Sequence, residues 1–341
     1  KKSWIIRIIA IVLALIVCGV FIFAITKTNP LEVYMGMIDG AIGTSRRTWN
    51  TLRDTMILLA VSLAITPAFK MRFWNIGAEG QILVGGIATA AVMRYAGDSM
   101  PTFALFAVMI ICSIVAGLVW GIIPAYFKAR YNTNETLFTL MMNYIATFLV
   151  AYFLIKWTPN GSSSLGELKY GHLPRLYNEY LLIILIVAVL TVLMHIYLNY
   201  SKHGYEISVV GESRKTAKYI GIDVKKVIIR TMLFSGALCG LAGFLLVGGL
   251  DHTVTENTVG GLGFTAIMVS WLAKFKPFYM MLTSFLLVFL DQGAAQVSQN
   301  FDVSSAFPNI IVGIILFFII GCEFFIEYKI VFRSKAKEEN K

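Results

Sequence analysis

Apolar side chains run along this chain in long unbroken stretches, with charged and polar residues gathered between them. A helix needs roughly 20 apolar residues to cross a hydrocarbon layer about 30 Å thick. With that window the pattern predicts about ten membrane-spanning helices. They fall near residues 4–26, 51–69, 74–93, 101–127, 136–155, 180–199, 229–249, 260–273, 278–297 and 306–328. The run at 101–127 is long enough to tilt or to kink near Pro124. Apolar positions do not alternate with polar ones, which excludes a closed β-barrel. The expectation is an all-α, polytopic helical membrane protein with one transmembrane domain over residues 1–341.

Two of these runs break the pattern. The third opens with Asn75-Ile76-Gly77-Ala78-Glu79-Gly80-Gln81 and continues through Gly85 and Gly86. The eighth is short, and Gly260, Gly261 and Gly263 stand just ahead of Phe264. If the runs divide five and five, these are the third segments of the two halves. An odd number of spans per half makes the halves run in opposite directions, as in an inverted pseudo-repeat. Gly-interrupted apolar segments at corresponding positions point to a transport path. Glycine lets a helix open, and freed backbone groups are tolerated at membrane depth only beside protein or water. Asn75, Gly77, Glu79, Gln81, Gly261 and Phe264 are therefore candidates for the translocation path. Glu79 has three readings: a brace for a broken backbone, a group lining the path, or an interfacial charge paired with Lys70 or Arg72.

A second polar patch opens the fifth run. Asn134 is expected to cap that helix, with Glu135 in its first turn. Asn143 lies deeper and must find a partner within the bundle, which adds it to the candidate path. Asp291, Gln292, Gln296 and Gln299 form a polar stripe in the ninth run, facing a lumen or a neighbouring subunit. Gly117xxxGly121 and Gly236xxxGly240 read as helix-packing motifs.

Composition agrees with the pattern, at 57% hydrophobic and 14% charged residues, too greasy for a soluble domain. The net charge of +10 does not indicate nucleic acid, because Lys and Arg sit at the ends of apolar runs, where they orient a chain in a bilayer. Alternate connections carry most of them: Lys1, Lys2 and Arg7, then Lys70/Arg72, Lys128/Arg130, residues 202–226, Lys274/Lys276 and the Lys335/Lys337 tail. That asymmetry places both termini in the cytoplasm. It makes 156–179 an external loop and 200–228 the longest cytoplasmic connection, whose helical spacing predicts a short amphipathic helix. The first run, 5–25, has no cleavage pattern behind it and reads as a retained helix. The four cysteines lie singly within apolar runs and the four histidines lack ligand spacing, so neither disulfides nor a metal site is expected. No phosphate loop of the GxxxxGK[ST] type and no catalytic motif occurs, so no enzymatic role is expected.

Four stretches taken together resemble the permease subunits of ATP-binding-cassette importers for simple sugars and nucleosides. They are FWNIGAEGQILVGG (73–86), ETLFTLMMNYIA (135–146), VGESRKTAKYIGI (210–222) and GGLGFTAIMVSWLAKFKP (260–277). Order and spacing match across nearly the whole chain, and the NIGAEGQ form is similar to the nucleoside branch. The resemblance implies a bacterial cytoplasmic-membrane permease for nucleosides. It makes 200–228 a loop that docks into the ATPase subunit, with Gly211, Glu212, Ala217 and Gly221 at the motif positions. It implies no cofactor in this chain, with ATP and Mg bound by the partner ATPase. Its expected partners are that ATPase, a second and non-identical permease, an extracellular solute-binding lipoprotein and the bilayer. The alternatives are the same machinery carrying a simple sugar, and an ion-coupled secondary transporter working alone.

Overall fold

The computed structural model describes residues 2–27, 29–158, 164–174, 178–301, 304 and 306–327. Lys1 and the Lys335/Lys337 tail, used above for orientation, lie outside the described residues, as do 159–163 and 175–177 of the predicted external loop. Among the described residues there is no strand, only an isolated bridge between Ser164 and Thr255. The helices are α1 (Lys2–Thr26), α2 (Pro30–Ile42), α3 (Ser45–Lys70), α4 (Ala78–Ala96), α5 (Thr102–Tyr131), α6 (Glu135–Trp157), α7 (Leu181–Tyr200), α8 (Lys202–Glu212), α9 (Arg214–Tyr219), α10 (Val224–Leu246), α11 (Leu262–Leu272), α12 (Pro277–Asn300) and α13 (Ala306–Glu327). A π-helical turn, Val247–Asp251, extends α10.

Every apolar run predicted from sequence contains a helix. By length and apolarity six of them can cross a membrane, α3, α5, α6, α7, α10 with its π turn, and α12, or seven if the bent pair Ile9–Ile25 and Pro30–Ile42 counts as one span. Among the described residues the third, eighth and tenth runs fall short, the tenth because its apolar helix there covers only Asn309–Cys322. α4 is diluted by Gly, Ala, Glu79 and Arg94, and α11 has only 11 residues.

Residues 1–48 and 289–341 form one compact unit. In it α1 packs on α13, with Phe21 and Phe307 stacked at 5.4 Å. Helix α2, not anticipated from sequence, starts at an Asn29 cap followed by Pro30. A Cβ added at Gly40 would run into Gln296 and the Gln292 carbonyl, so this part of the polar stripe is a close contact with α2.

Residues 49–288 form the other unit. Its centre is the packing of α4, α5 and α10, which approach where glycine faces glycine. A Cβ at Gly85 would lie 2.7 Å from Gly240 Cα, and one at Gly117 equally close to the same atom. The Gly117xxxGly121 and Gly236xxxGly240 motifs are thus the seam between α5 and α10, where small residues let the backbones touch. Replacing Gly240 with Ala is expected to destabilise the protein by about 2 kcal/mol through overpacking. Gly313→Ala, with open space around the position, should leave the melting temperature in detergent nearly unchanged.

Candidate translocation site

Helix α3 ends at Lys70, and the chain reverses through residues 71–77 with Arg72 in the left-handed region at φ 57°. The first turn of α4 has no side-chain cap of its own at Gly77, so its amides need partners from elsewhere. Asn75 is fully buried and accepts from Gly77 N–H (3.1 Å) and from Gln81 Nε2 (3.4 Å), while its own amide donates to Gln81 Oε1 (3.3 Å). Asn143 on α6 closes the remaining gap. Its Oδ1 accepts from Gly80 N–H at 2.9 Å and its Nδ2 donates to the Ile76 carbonyl at 2.9 Å. Ile76 N–H donates to Thr139 Oγ1 at 3.2 Å. Asn134 caps α6, accepting from the amides of Thr136 and Leu137, and Glu135 pairs with Lys128 at 2.6 Å. Asn143 is eight residues beyond Glu135, so the broken end of α4 sits about 12 Å along α6 from its capped start.

The second broken element approaches from the other end. After the π turn, His252 (φ 51°) reverses the chain, and Val254 and Val259 face Ile82, Leu83 and Gly86 of α4. Gly260 (φ 57°) and Gly261 (φ 82°) then adopt a conformation that L side chains rarely take, and α11 begins. Helix α11 also lacks a side-chain cap of its own. Its cap is Glu79, 182 residues earlier: Oε1 accepts from Gly261 N–H at 2.7 Å and Oε2 from Gly263 N–H at 2.8 Å. A carboxylate on amides at a helix N-terminus gains both charge-assisted hydrogen bonds and the helix dipole. Glu79 is thus not paired with Lys70, whose ammonium donates to the Leu198 carbonyl at 3.3 Å. From the junction α11 runs back toward the end of α3, where Ser270 Oγ donates to the Ser62 carbonyl at 3.2 Å. Of the predicted path residues, Asn75, Gly77, Gln81 and Asn143 form one buried network, Glu79 and Gly261 form the junction, and Phe264 is exposed beside it.

The 200–228 connection contains two short helices. Ser213 ends α8 and caps α9, its Oγ accepting from Thr216 N–H at 3.2 Å. Gly211 packs so closely on the Lys70 carbonyl that no Cβ fits. Ala217 is fully buried in an apolar cluster with Met71, Phe73, Ile207, Val210 and Met232. The same cluster therefore holds α8, α9 and the start of the 71–77 break. Gly221 (φ 84°) terminates α9, with Ile222 N–H bonded to the Ala217 carbonyl at 2.9 Å. Asp223 caps α10, and the amide of Lys226 is the main group holding its carboxyl below the usual range. Gly211 and Ala217 face inward, whereas Glu212 and Gly221 are exposed. Sequence reasoning missed the outward groups beside them, Lys215, Lys218 and Tyr219. Tyr219 is 92% exposed, and its place in a basic hexapeptide was the available signal.

At the opposite end, the described part of 156–179 lies against the segment 248–255. Leu168 N–H bonds to the His252 carbonyl (2.8 Å) and Leu173 N–H to the Gly248 carbonyl (3.0 Å). His172 stacks on His252 at 3.9 Å over a cavity of about 220 Å³ also lined by Arg53, Glu167 and Glu179. Among the described residues no cluster of His, Cys, Asp or Glu is arranged for a metal, and the four cysteines are free.

Against known proteins, residues 47–320 match the family described as branched-chain amino acid transport system / permease component. The chain belongs to this permease family. Like other such components, the permease is a multi-pass membrane transport subunit and not an enzyme. Families of this kind work with an ATPase and a binding protein. The permease is 30% identical to the guanosine ABC transporter permease protein NupP of Bacillus subtilis, over 91% of each chain. It is 27% identical to the nucleoside ABC transporter permease protein NupB of Lactococcus lactis, over 98% of this chain and 94% of that one. It is 25% identical to the glucose ABC transporter permease protein TsgB13 of Haloferax volcanii, over 95% and 88%.

Two substitutions test the junction. Glu79→Gln retains one acceptor and loses the charge, and should cost on the order of 2 kcal/mol. Asn143→Ala strands the Gly80 amide and the Ile76 carbonyl and should cost about as much. Thermal unfolding in detergent reads both. A variant as stable as the parent would show that the corresponding bonds do not hold the broken helices.

Proposed function

We propose that this permease forms half of the path of an ATP-driven nucleoside importer. The observation that carries the reading is its 30% identity, over 91% of both chains, to a guanosine permease. NupB, named for nucleosides, supports it over nearly the full length. A second, non-identical permease completes the path, an ATP-binding-cassette ATPase binds ATP and Mg, and an extracellular lipoprotein delivers cargo. The chain acts as a single transmembrane domain of the bacterial cytoplasmic membrane, with about ten spans and both termini in the cytoplasm.

The geometry supports an inverted repeat of five and five. α3, a reversal and α4 are answered by α10, a reversal and α11, with the two half-helices meeting at Glu79. In this reading Glu79 braces the path. Nucleotide-driven closure of the ATPases pushes on the exposed face of α9, around Tyr219. Because Ala217 shares an apolar cluster with Met71 and Phe73, that push reaches the α4 break and, through Glu79, α11. Access then switches from outside to inside.

A second reading keeps the machine and changes the cargo to a sugar, favoured by the 25% identity to a glucose permease over 95% of this chain. Uptake of labelled guanosine and uridine into vesicles holding the full complex separates the two. Uptake that requires ATP and ignores excess ribose or glucose is expected, and Tyr219→Ala should reduce it severalfold. Uptake abolished by sugar competitors would move the cargo to sugars. Uptake that follows an ion gradient without ATP would contradict the coupled mechanism.

A further inference from the structure

On the α3 side of the carboxylate junction, α11 turns one face to open space. Phe264, Met268 and Trp271, at i, i+4 and i+7, are 46%, 38% and 47% exposed, while Ala266, Val269 and Ser270 between them are buried. Trp74, 46% exposed, reaches the same face from the 71–77 reversal. Its indole stacks on that of Trp271, with ring centroids 5.7 Å apart and planes 25° from parallel. Phe69 meets Trp74 edge-on at 5.8 Å, and Phe275 meets Trp271 edge-on at 5.2 Å. Two large aromatic planes are thus held from behind and stacked on each other in front.

Tryptophan is common where helices meet lipid headgroups, so a membrane anchor is the plain alternative. Three features oppose it. An 11-residue helix rises only about 16 Å, and α11 starts from the half-buried Glu79 junction within the bundle. The turn leading into it exposes Glu256, Asn257 and Gly260. Exposed irregular polar backbone of this kind is tolerated beside water and not beside lipid. Third, anchoring residues place separate rings among headgroups, whereas these two indoles stack on each other, with Met268 and Phe264 farther along the same face of α11.

We infer that Trp74, Trp271 and Phe264 form a stacking track for a planar heteroaromatic ring, the base of a nucleoside, and that the Trp74–Trp271 contact is the resting arrangement an entering base replaces. The inference rests on the nucleoside reading and deepens it. A base presents π faces that any aromatic side chain accepts, so the track tolerates purines and pyrimidines alike. The exchange trades one ring stack for another, which keeps the hold weak enough for release. A sugar has no such face and gains little on the track. This gives the permease itself a part in cargo choice, beside the binding protein.

The test uses the full complex in vesicles, with Trp271→Ala, Trp271→Leu and Trp271→Phe compared for ATP-driven uptake of uridine and guanosine. Trp271→Ala should lower uptake roughly tenfold, Trp271→Phe should restore most of it, and Trp271→Leu should not, although Leu fills space. Photolabelling of the parent complex with 8-azidoadenosine should mark Trp74, Trp271 or Phe264, with protection by uridine and none by ribose. Equal rescue by Leu and Phe would reduce the cluster to apolar packing and overturn the inference. Loss of the second permease on purification of all three variants would make the face a subunit interface and overturn it as well. Labelling confined elsewhere would do the same while leaving nucleoside import intact. A parent complex that imports only ribose would overturn both the track and the cargo reading.

Discussion

One carboxylate holds together two helices that each begin in the middle of the protein. Helices α4 and α11 start at reversals with no capping side chain at their own N-cap positions, and Glu79 accepts two amides of the α11 start at 2.7 and 2.8 Å. The cost of leaving such groups unpaired in an apolar bundle is what makes this contact decisive. Asn75, Asn143 and Thr139 do the equivalent work for the α4 reversal. The glycines are required by the same geometry: Gly261 for its φ, and Gly263 because a Cβ would meet Glu79 at 2.8 Å.

Around this junction the fold is arranged so that its two breaks are connected to different faces. The α4 break shares its apolar cluster with α8 and α9, through Met71, Phe73 and Ala217. The α11 break is reached through the 252–261 segment, which is bonded to residues 165 and 168. A movement at either face thus has a packed route to the same carboxylate. Glycine-to-glycine contacts of α4, α5 and α10 supply the rigid body against which it acts.

Much of this was legible in the sequence, for stated reasons. Hydrocarbon-length runs mark most helices, and a Glu among glycines at the mouth of an apolar segment marks the odd one. Periodicity does not say which residue answers Glu79 from 182 positions away, and no local pattern encodes that distance. Helix α2 was missed because 13 residues carrying Glu32 and Asp39 fall below any spanning window. The four motif positions within 200–228 follow from the family resemblance, which does not say which way each side chain faces. Gly211 and Ala217 turn inward because small residues are needed where α8 and α9 press on the α3 end and its cluster, which leaves Tyr219 and Ile220 outside. Trp74 and Trp271 carry no sequence signal as a pair, since only the reversal at 71–77 brings them together.

The central claim, that the 200–228 connection and both broken helices move as one linked system, is tested most directly by hydrogen–deuterium exchange. The complex would be compared with its ATPase empty and with a non-hydrolysable ATP analogue. Concerted changes in exchange at 205–222, 71–81 and 256–264, with α5 and α10 unchanged, are what the account predicts. A change confined to 205–222, with both breaks unaffected, would contradict it.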